Sequence, residues 1–499
     1  MPTVAENGEW DLPRLRASFG FEDDFKYLSS DDGAQEFFDV KFYPYNPPGA
    51  SPVFAAVSKK HAVVCRLSQP KDNTNNPCEV IQIIRDDDPD ASNCACCWTK
   101  DPETERALLC VAGNDAKVKV YSVKDGKLVR TLVGHGDGIN DLATSPDDPL
   151  IIASASDDTT VRIWSLASVH ERQPCLCLLG GEGHSWDLLS VAFHDTGRYV
   201  LSAGHDQVIN LWTLPDLPKE HTDAPIVIYY PHFSTSEVHS GLVDCVAFLG
   251  DCILSHACHE ETIVLWRIEG FSSEDPPPSP SQAPTTYDPS KLTRSAFAPI
   301  ISPSCPAQYT RLLEFQAAGC GPQFFMRFKV YEAPNRHPVL AFCNAKSKTS
   351  FWDLARLTTY HEFMTALNNP KKDKDSHLER PPWLNFKQPK KPNTMARVRD
   401  PSDKDSMVSV GASSDPDSGA ALGITHDSIS NWDELYGISH PHDHPIKPHK
   451  IVGVSGESKF VGRQVAWSPG GEWCVVVGNQ NRALIFQRWA KEKGAQSGA

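Results

Sequence analysis

Histidine, a carboxylate and a tryptophan recur three times at nearly constant spacing. His135, Asp158 and Trp164 form the first set, His184, Asp206 and Trp212 the second, and His239, Glu260 and Trp266 the third. Histidine and tryptophan are 29, 28 and 27 residues apart, and the acid stands six residues before each tryptophan. A histidine beside a carboxylate could act as a general base or activate a serine. One such pair would suggest an enzyme. Three at one interval suggest a structural tie, in which an acid on a tight turn accepts a hydrogen bond from the histidine and orients its ring. No GxSxG, HExxH or P-loop motif accompanies them, so no catalytic residue is assigned.

A second group is aromatic. The stretch "GPQFFMRFKV" sets Phe324 beside Phe325, with Arg327 close by. Successive residues of a strand face opposite sides, so only one of the two can enter a given core layer. Exposed rings at a surface can cage a methylated ammonium, a soft cation without N–H donors that ring faces attract. An apolar strand end packed under a loop fits the position equally well. Two further clusters could hold metal: "CACCW" (Cys94, Cys96, Cys97) and "HPHDHPIKPH" (440–449). Closed zinc sites need four ligands at characteristic spacings, so the first is expected to be a buried strand and the second a metal-free loop. No metal or cofactor is expected.

The elements that must position these residues follow from the repeat. The segments 134–165, 183–213 and 238–267 each run histidine, alternating strand, turn, apolar strand, acidic turn, then a β-branched strand ending in tryptophan. This periodicity is the signature of WD repeats, each a four-stranded propeller blade. Weaker copies at 37–67, 93–123, 324–354 and 462–489 bring the number to seven. The expected fold is an all-β, seven-bladed propeller over 23–489 with two long loop insertions. Closing the ring requires a strand from one terminus to pair with the last blade, and "DDFKYLSS" (23–30) is the expected strand. Residues 1–22 are expected to be a flexible lead and 490–499 a tail. The insertion at 271–308 is rich in proline and serine and reads as a flexible loop. The other, at 359–450, contains the basic run 370–392, which reads as a solvated loop ahead of a nuclear-import or nucleic-acid patch.

Bulk properties restrict the function. A net charge of -15 argues against a protein that coats nucleic acid. The N-terminal "MPTVAENGEWDLPRL" lacks a signal peptide's apolar run, and no stretch reaches membrane-spanning length. The 15 cysteines are therefore expected to be reduced, in cytosol or nucleus.

Aligning the innermost strands on their inward anchors places Phe38, Cys94, Asn140, Leu189, Asp244, Phe324 and Arg463 at one position, blade by blade. Those strand starts form a rim at one mouth of the central channel. Phe38 lies on blade one and the phenylalanine pair on blade six, two blade steps around the ring.

The runs "VGHGDGIND", "DDPLIIASASDDTTVRIW", "YPHFSTSEVHSGLVDCVAFLGDCILS" and "FFMRF" resemble the EED (extra sex combs) family, the WD-repeat subunits of Polycomb repressive methyltransferase complexes. The resemblance spans about residues 23–489. It implies a non-catalytic nuclear core subunit that supports transcriptional repression. One propeller face would hold the N-terminal helix of the SET-domain methyltransferase subunit. The other would bind the trimethylated histone three tail and couple that binding to stimulation of the enzyme. Other core subunits, including a zinc-finger subunit, and nucleosomes contacted through the complex are implied partners; a membrane is not. The family's cage aromatics carry over to Phe38, Phe324 and Phe325, and its peptide contacts to Asn140, Asp244, Arg327 and Arg463. Where the family has a cage tyrosine this chain has Cys94, and Trp98 is the neighbour that could fill the wall. The alternative is a generic WD-repeat scaffold, a histone chaperone or ubiquitin-ligase adaptor, that reads no methyl-lysine.

Overall fold

The computed structural model describes residues 11–20, 36–47, 49–68, 77–286, 288, 290–298, 308–321, 323–334, 336–368, 380–384, 426–438, 444–454 and 460–488. Seven separate sheets, each of four or five strands, form the seven blades. Their innermost strands are Phe37–Phe42, Asn93–Lys100, Ile139–Thr144, Leu188–Phe193, Val243–Leu249, Lys329–Tyr331 and Gly462–Trp467. The second strand of each blade is buried along nearly its whole length because each blade packs against a neighbour on both faces. Blade three's second strand, Ile151–Ser156, is buried along its whole length.

The sequence-derived blade ranges capture the inner three strands of each blade. The fourth lies beyond them, as in Cys78–Arg85 of blade one, because outer strands are half-exposed and carry a weaker apolar pattern. The closing strand is also elsewhere than expected. Arg14–Gly20 pairs antiparallel with Arg482–Gln487 and completes blade seven, so part of the supposed flexible lead is ordered sheet. Residues 23–30 lie outside the described residues, as does the tail 490–499.

Both insertions enter the chain between the third and fourth strands of a blade. The proline-rich one, expected to be a flexible loop, contributes Thr293–Ser295 as a fifth strand of blade four. The longer one separates Lys348–Asp353 from Lys450–Gly453 in blade six. Residues 355–447 form their own compact unit, apart from 1–354 with 448–499. Within it a helix, Leu354–Leu367, buries Leu357, Tyr360, Phe363 and Leu367 at helical spacing, and the Tyr360 hydroxyl donates to Asp433 at 2.6 Å. Among the described residues no helix is long and apolar enough to cross a membrane.

Six of the seven innermost strands break register after their first pair. The extra residues are Phe38, Cys94, Asn140, Leu189, Asp244 and Arg463. A β-bulge sets two residues opposite one and re-aims a side chain, commonly beside a site. The aligned rim position is therefore a bulge in six blades.

Candidate functional site

The three histidine sets assemble as ties inside blades three, four and five. His135 Nδ1 donates to Asp158 at 2.8 Å, its Nε2 meets Ser154 Oγ at 2.6 Å, and Trp164 Nε1 donates to the same hydroxyl at 2.8 Å. Blade four repeats this with His184, Asp206, Ser202 and Trp212, and blade five with His239, Glu260, Ser255 and Trp266. The serines were missed from sequence, although each stands ten or eleven residues before its tryptophan. Every polar atom of the tie has a partner within the blade. Burial lowers the pKa of His135 and His239, so both rings are neutral at pH 7 and donate from Nδ1. Burial opposes ionisation of Glu260, but His239 and the Ser240 N–H and hydroxyl donors hold it near 2.

At the rim, residues 323–328 belong to no strand, so the opposite-faces rule does not apply to the paired phenylalanines. Phe325 has φ +59°, a left-handed conformation that bulky residues rarely adopt. It turns the chain so that Met326 and Phe328 are the buried residues, while Phe324 is 46% exposed and Phe325 half-buried. Phe324 is thus the more exposed of the pair, and Phe325 packs against Arg327. Their rings lie 5.5 Å apart at 65°. Blade seven's Arg463 gathers this rim. Its Nη1 donates to the Phe324 carbonyl at 2.5 Å, Nη2 to Gln323 at 3.2 Å, and Nε to Glu36 at 2.5 Å, two residues before Phe38. Arg463 therefore ties the segment that carries Phe324 and Phe325 to Glu36, two residues before Phe38.

Arg327 is 3% exposed and belongs to the channel beneath the rim. Its guanidinium lies 4.7 Å from the Phe325 ring centroid, pairs with Asp141 at 3.2 Å, and donates to the Asn140 and Leu189 carbonyls. Lys41 approaches Asp39 at 3.3 Å and Asp141 at 3.5 Å. Burial opposes ionisation of Asp141, yet Arg327 and Lys41, with the Val191 and Leu142 N–H groups, hold its pKa below the usual carboxylate value. Two cations and two carboxylates thus plug the channel and floor the aromatic rim. None of the plug was read from sequence except Arg327.

Three sequence assignments change. Asp244, expected to touch a peptide, is fully buried; it accepts from His256 Nδ1 at 2.8 Å and from the Met326 N–H at 3.2 Å. Arg327 likewise faces inward, for the reasons given. Trp98, the suggested cage wall, is four residues along the strand from Cys94, about 13 Å at strand rise. It is buried, donates to the Lys41 carbonyl at 2.8 Å and lines the other end of the channel. Cys94 does reach the rim. It is half-buried, its Sγ donates to the Ile139 carbonyl at 3.2 Å, and burial pushes the thiol up to about 12, so it stays neutral. Asn140 is half-buried, and its amide donates to Asp157 and to the Leu188 carbonyl. Cys96 and Cys97 are buried in the strand Asn93–Lys100, as expected.

On the opposite face, a cavity of about 520 Å³ lies between blades three and four. Ile151, Val169, Leu176, Leu214 and Leu217 supply its apolar lining.

Seven blades closed by an N-terminal strand, with histidine–acid–serine–tryptophan ties, define a WD-repeat β-propeller. The WD domain, G-beta repeat family matches residues 126–165 and 174–213. Polycomb protein EED of Chaetomium thermophilum is 55% identical over 99% of this chain and 99% of its own length. Polycomb protein esc of Drosophila melanogaster is 27% identical over 72% of this chain and 78% of its own. A solved structure of ctPRC2 in complex with H3K27me3 contains a chain 58% identical to this one, with a TM-score of 0.85, covering 98% of this chain and all of that one. This chain belongs to the EED family of Polycomb proteins.

Proposed function

We propose that this protein is a non-catalytic nuclear subunit of a Polycomb repressive methyltransferase complex, reading trimethyl-lysine on the histone three tail. The observation that carries the proposal is the phenyl rim. Phe324 and Phe325 lie with their rings 5.5 Å apart on a segment that Arg463 ties to Glu36, two residues before Phe38, and the Arg327–Asp141 pair lies beneath, so a side chain entering beside them would meet ring faces. A trimethylammonium suits such a pocket because it has no N–H group to satisfy. The H3K27me3-bound ctPRC2 structure, with its highly similar chain, supports this ligand class. The cavity between blades three and four, where Ile151, Val169, Leu176, Leu214 and Leu217 lie beside charged groups such as Asp147, Asp148 and Lys219, supports a partner segment docked on the opposite face, where we place the SET-domain subunit. Catalysis then lies in that partner. Mark binding stimulates it only through a coupling free energy between the two faces. Further core subunits, a zinc-finger subunit among them, complete the assembly and bring it to nucleosomes.

Calorimetric titration of the full chain with trimethylated and unmethylated histone three peptides tests the reading. A clear preference for the trimethylated peptide is expected. Equal affinity would overturn it and leave a WD-repeat scaffold that reads no mark.

A further inference from the structure

The rim segment 323–327 has no strand partners of its own, so something outside blade six must set its backbone. Blade seven supplies Arg463, which holds the Gln323 side chain and the Phe324 carbonyl and whose own carbonyl accepts from the Arg327 N–H at 2.9 Å. Blade five supplies the rest. Cys258 Sγ donates to the Gln323 carbonyl at 3.4 Å, and Asp244 accepts the Met326 N–H at 3.2 Å. That N–H immediately follows Phe325, the residue with φ +59°. Asp244 thus fixes the peptide on which the left-handed turn, and so the direction of the Phe325 ring, depends.

A fully buried carboxylate cannot do this alone, because an uncompensated charge in the interior neutralises or moves toward water. Arg327 is committed to Asp141. The counter-charge is His256, 1% exposed, whose Nδ1 lies 2.8 Å from Asp244. Its Nε2 lies 3.9 Å from Cys320 Sγ and its ring 5.3 Å from Phe342. Burial works against a charged ring here, but the Asp244 carboxylate outweighs it and raises His256 to about 10. None of these groups touches the surface, and none belongs to the histidine ties, in which the ring serves its own blade.

We infer that His256 is a positioning residue for the aromatic rim, acting through the buried Asp244 to hold the Phe325–Met326 peptide in the orientation that receives a quaternary ammonium. The inference rests on the methyl-lysine reading for its ligand. Its structural half stands separately.

The test uses the full chain with His256→Leu and His256→Lys, titrated with trimethylated and unmethylated histone three peptides. Selective ¹⁵N-methionine labelling gives at most five backbone amide signals, since the chain has five methionines. An amide bonded to a carboxylate resonates downfield, so Met326 reports on the contact directly. His256→Leu is expected to lower trimethyl-lysine affinity at least tenfold and to move the Met326 proton upfield. His256→Lys, which restores a cation beside Asp244, is expected to recover both. Should His256→Leu fail to fold, Asp244→Asn keeps an acceptor, removes the charge that needs compensation, and is expected to shift Met326 and weaken binding together. A parent protein that discriminates, with variants that bind equally well and leave Met326 unmoved, would overturn the inference. A parent that does not discriminate overturns the methyl-lysine reading instead, while the Met326 shift still decides whether His256 sets this peptide.

Discussion

In blades three, four and five the polar ties close within the blade, joining residues 10 to 23 positions apart in sequence. In the arc of blades six, seven and one they run between blades. Arg463 reaches back 139 residues to Phe324 and 427 residues to Glu36, and Met326 reaches back 82 residues to Asp244. On the third strands, the place of Trp164 is held by Trp352, Phe486 and Cys65 in blades six, seven and one, and that of Ser154 by Phe342, Val476 and Ala56. In the arc no serine hydroxyl stands at the place where the ties of blades three, four and five close. Two kinds of region result: one in which each blade carries its own tie, and one in which the rim is held by contacts between blades.

Four substitutions and an acid titration can break or sharpen this contrast. The largest effect is expected at the channel plug, which both regions share. Arg327→Met leaves the buried Asp141 with Lys41 as its remaining cation, beside the Val191 and Leu142 N–H donors, and should cost about 3 kcal/mol of stability, read as a lowered urea midpoint. A variant as stable as the parent would mean that the plug is not an electrostatic unit.

Asp206→Ala should cost about 2 kcal/mol by leaving the buried His184 without its acceptor, while trimethyl-lysine affinity stays at the parent value. A loss of affinity there would break the separation of the two regions. The ties also predict acid sensitivity. Glu260 near 2 lies below its ordinary value of 4.5, so its stabilisation is complete above about pH 4.5 and is lost as pH falls toward 2. His239, held neutral in the fold, adds loss of the same sign below its ordinary 6.5. Unfolding midpoints measured from pH 7 down to 3 should fall throughout; a flat profile would contradict the tie.

Phe325→Ala should weaken trimethyl-lysine binding by about 1.5 kcal/mol, roughly tenfold, with co-purification of the catalytic partner unchanged. Losing both together would mean that the two faces are not independent. The smallest effect concerns the incomplete wall. Cys94→Tyr should strengthen trimethyl-lysine binding several-fold, on the order of 1 kcal/mol, without improving the unmethylated peptide. Weaker binding would show that the space beside Cys94 is already occupied.

The same contrast explains what the sequence disclosed. Ties within a blade leave a fixed interval, so His135, Asp158 and Trp164 were legible together and the seven-blade fold with them. The rim position was legible because a bulge recurs at one place in six innermost strands, which is why Phe38, Cys94, Asn140 and Arg463 aligned. What those side chains do was less legible. Asp244 and Arg327 occupy rim-like positions in the chain but turn inward, and their partners His256 and Asp141 stand at no constant interval from them. Trp98 is near Cys94 along the strand but not in space, because four residues of strand separate them. The closing strand was misplaced because a short edge element such as Arg14–Gly20 has little apolar pattern of its own.

That closing strand also governs how the molecule can be made. Arg14 pairs with Gln487, so this strand leaves the ribosome long before its sheet partner. Throughout synthesis its backbone donors and acceptors remain open, and blade seven cannot form until nearly the whole chain exists. Such distant pairing is slow and exposed to wrong partners. The early blades can settle one by one as they emerge, but the ring becomes a ring in a single late event.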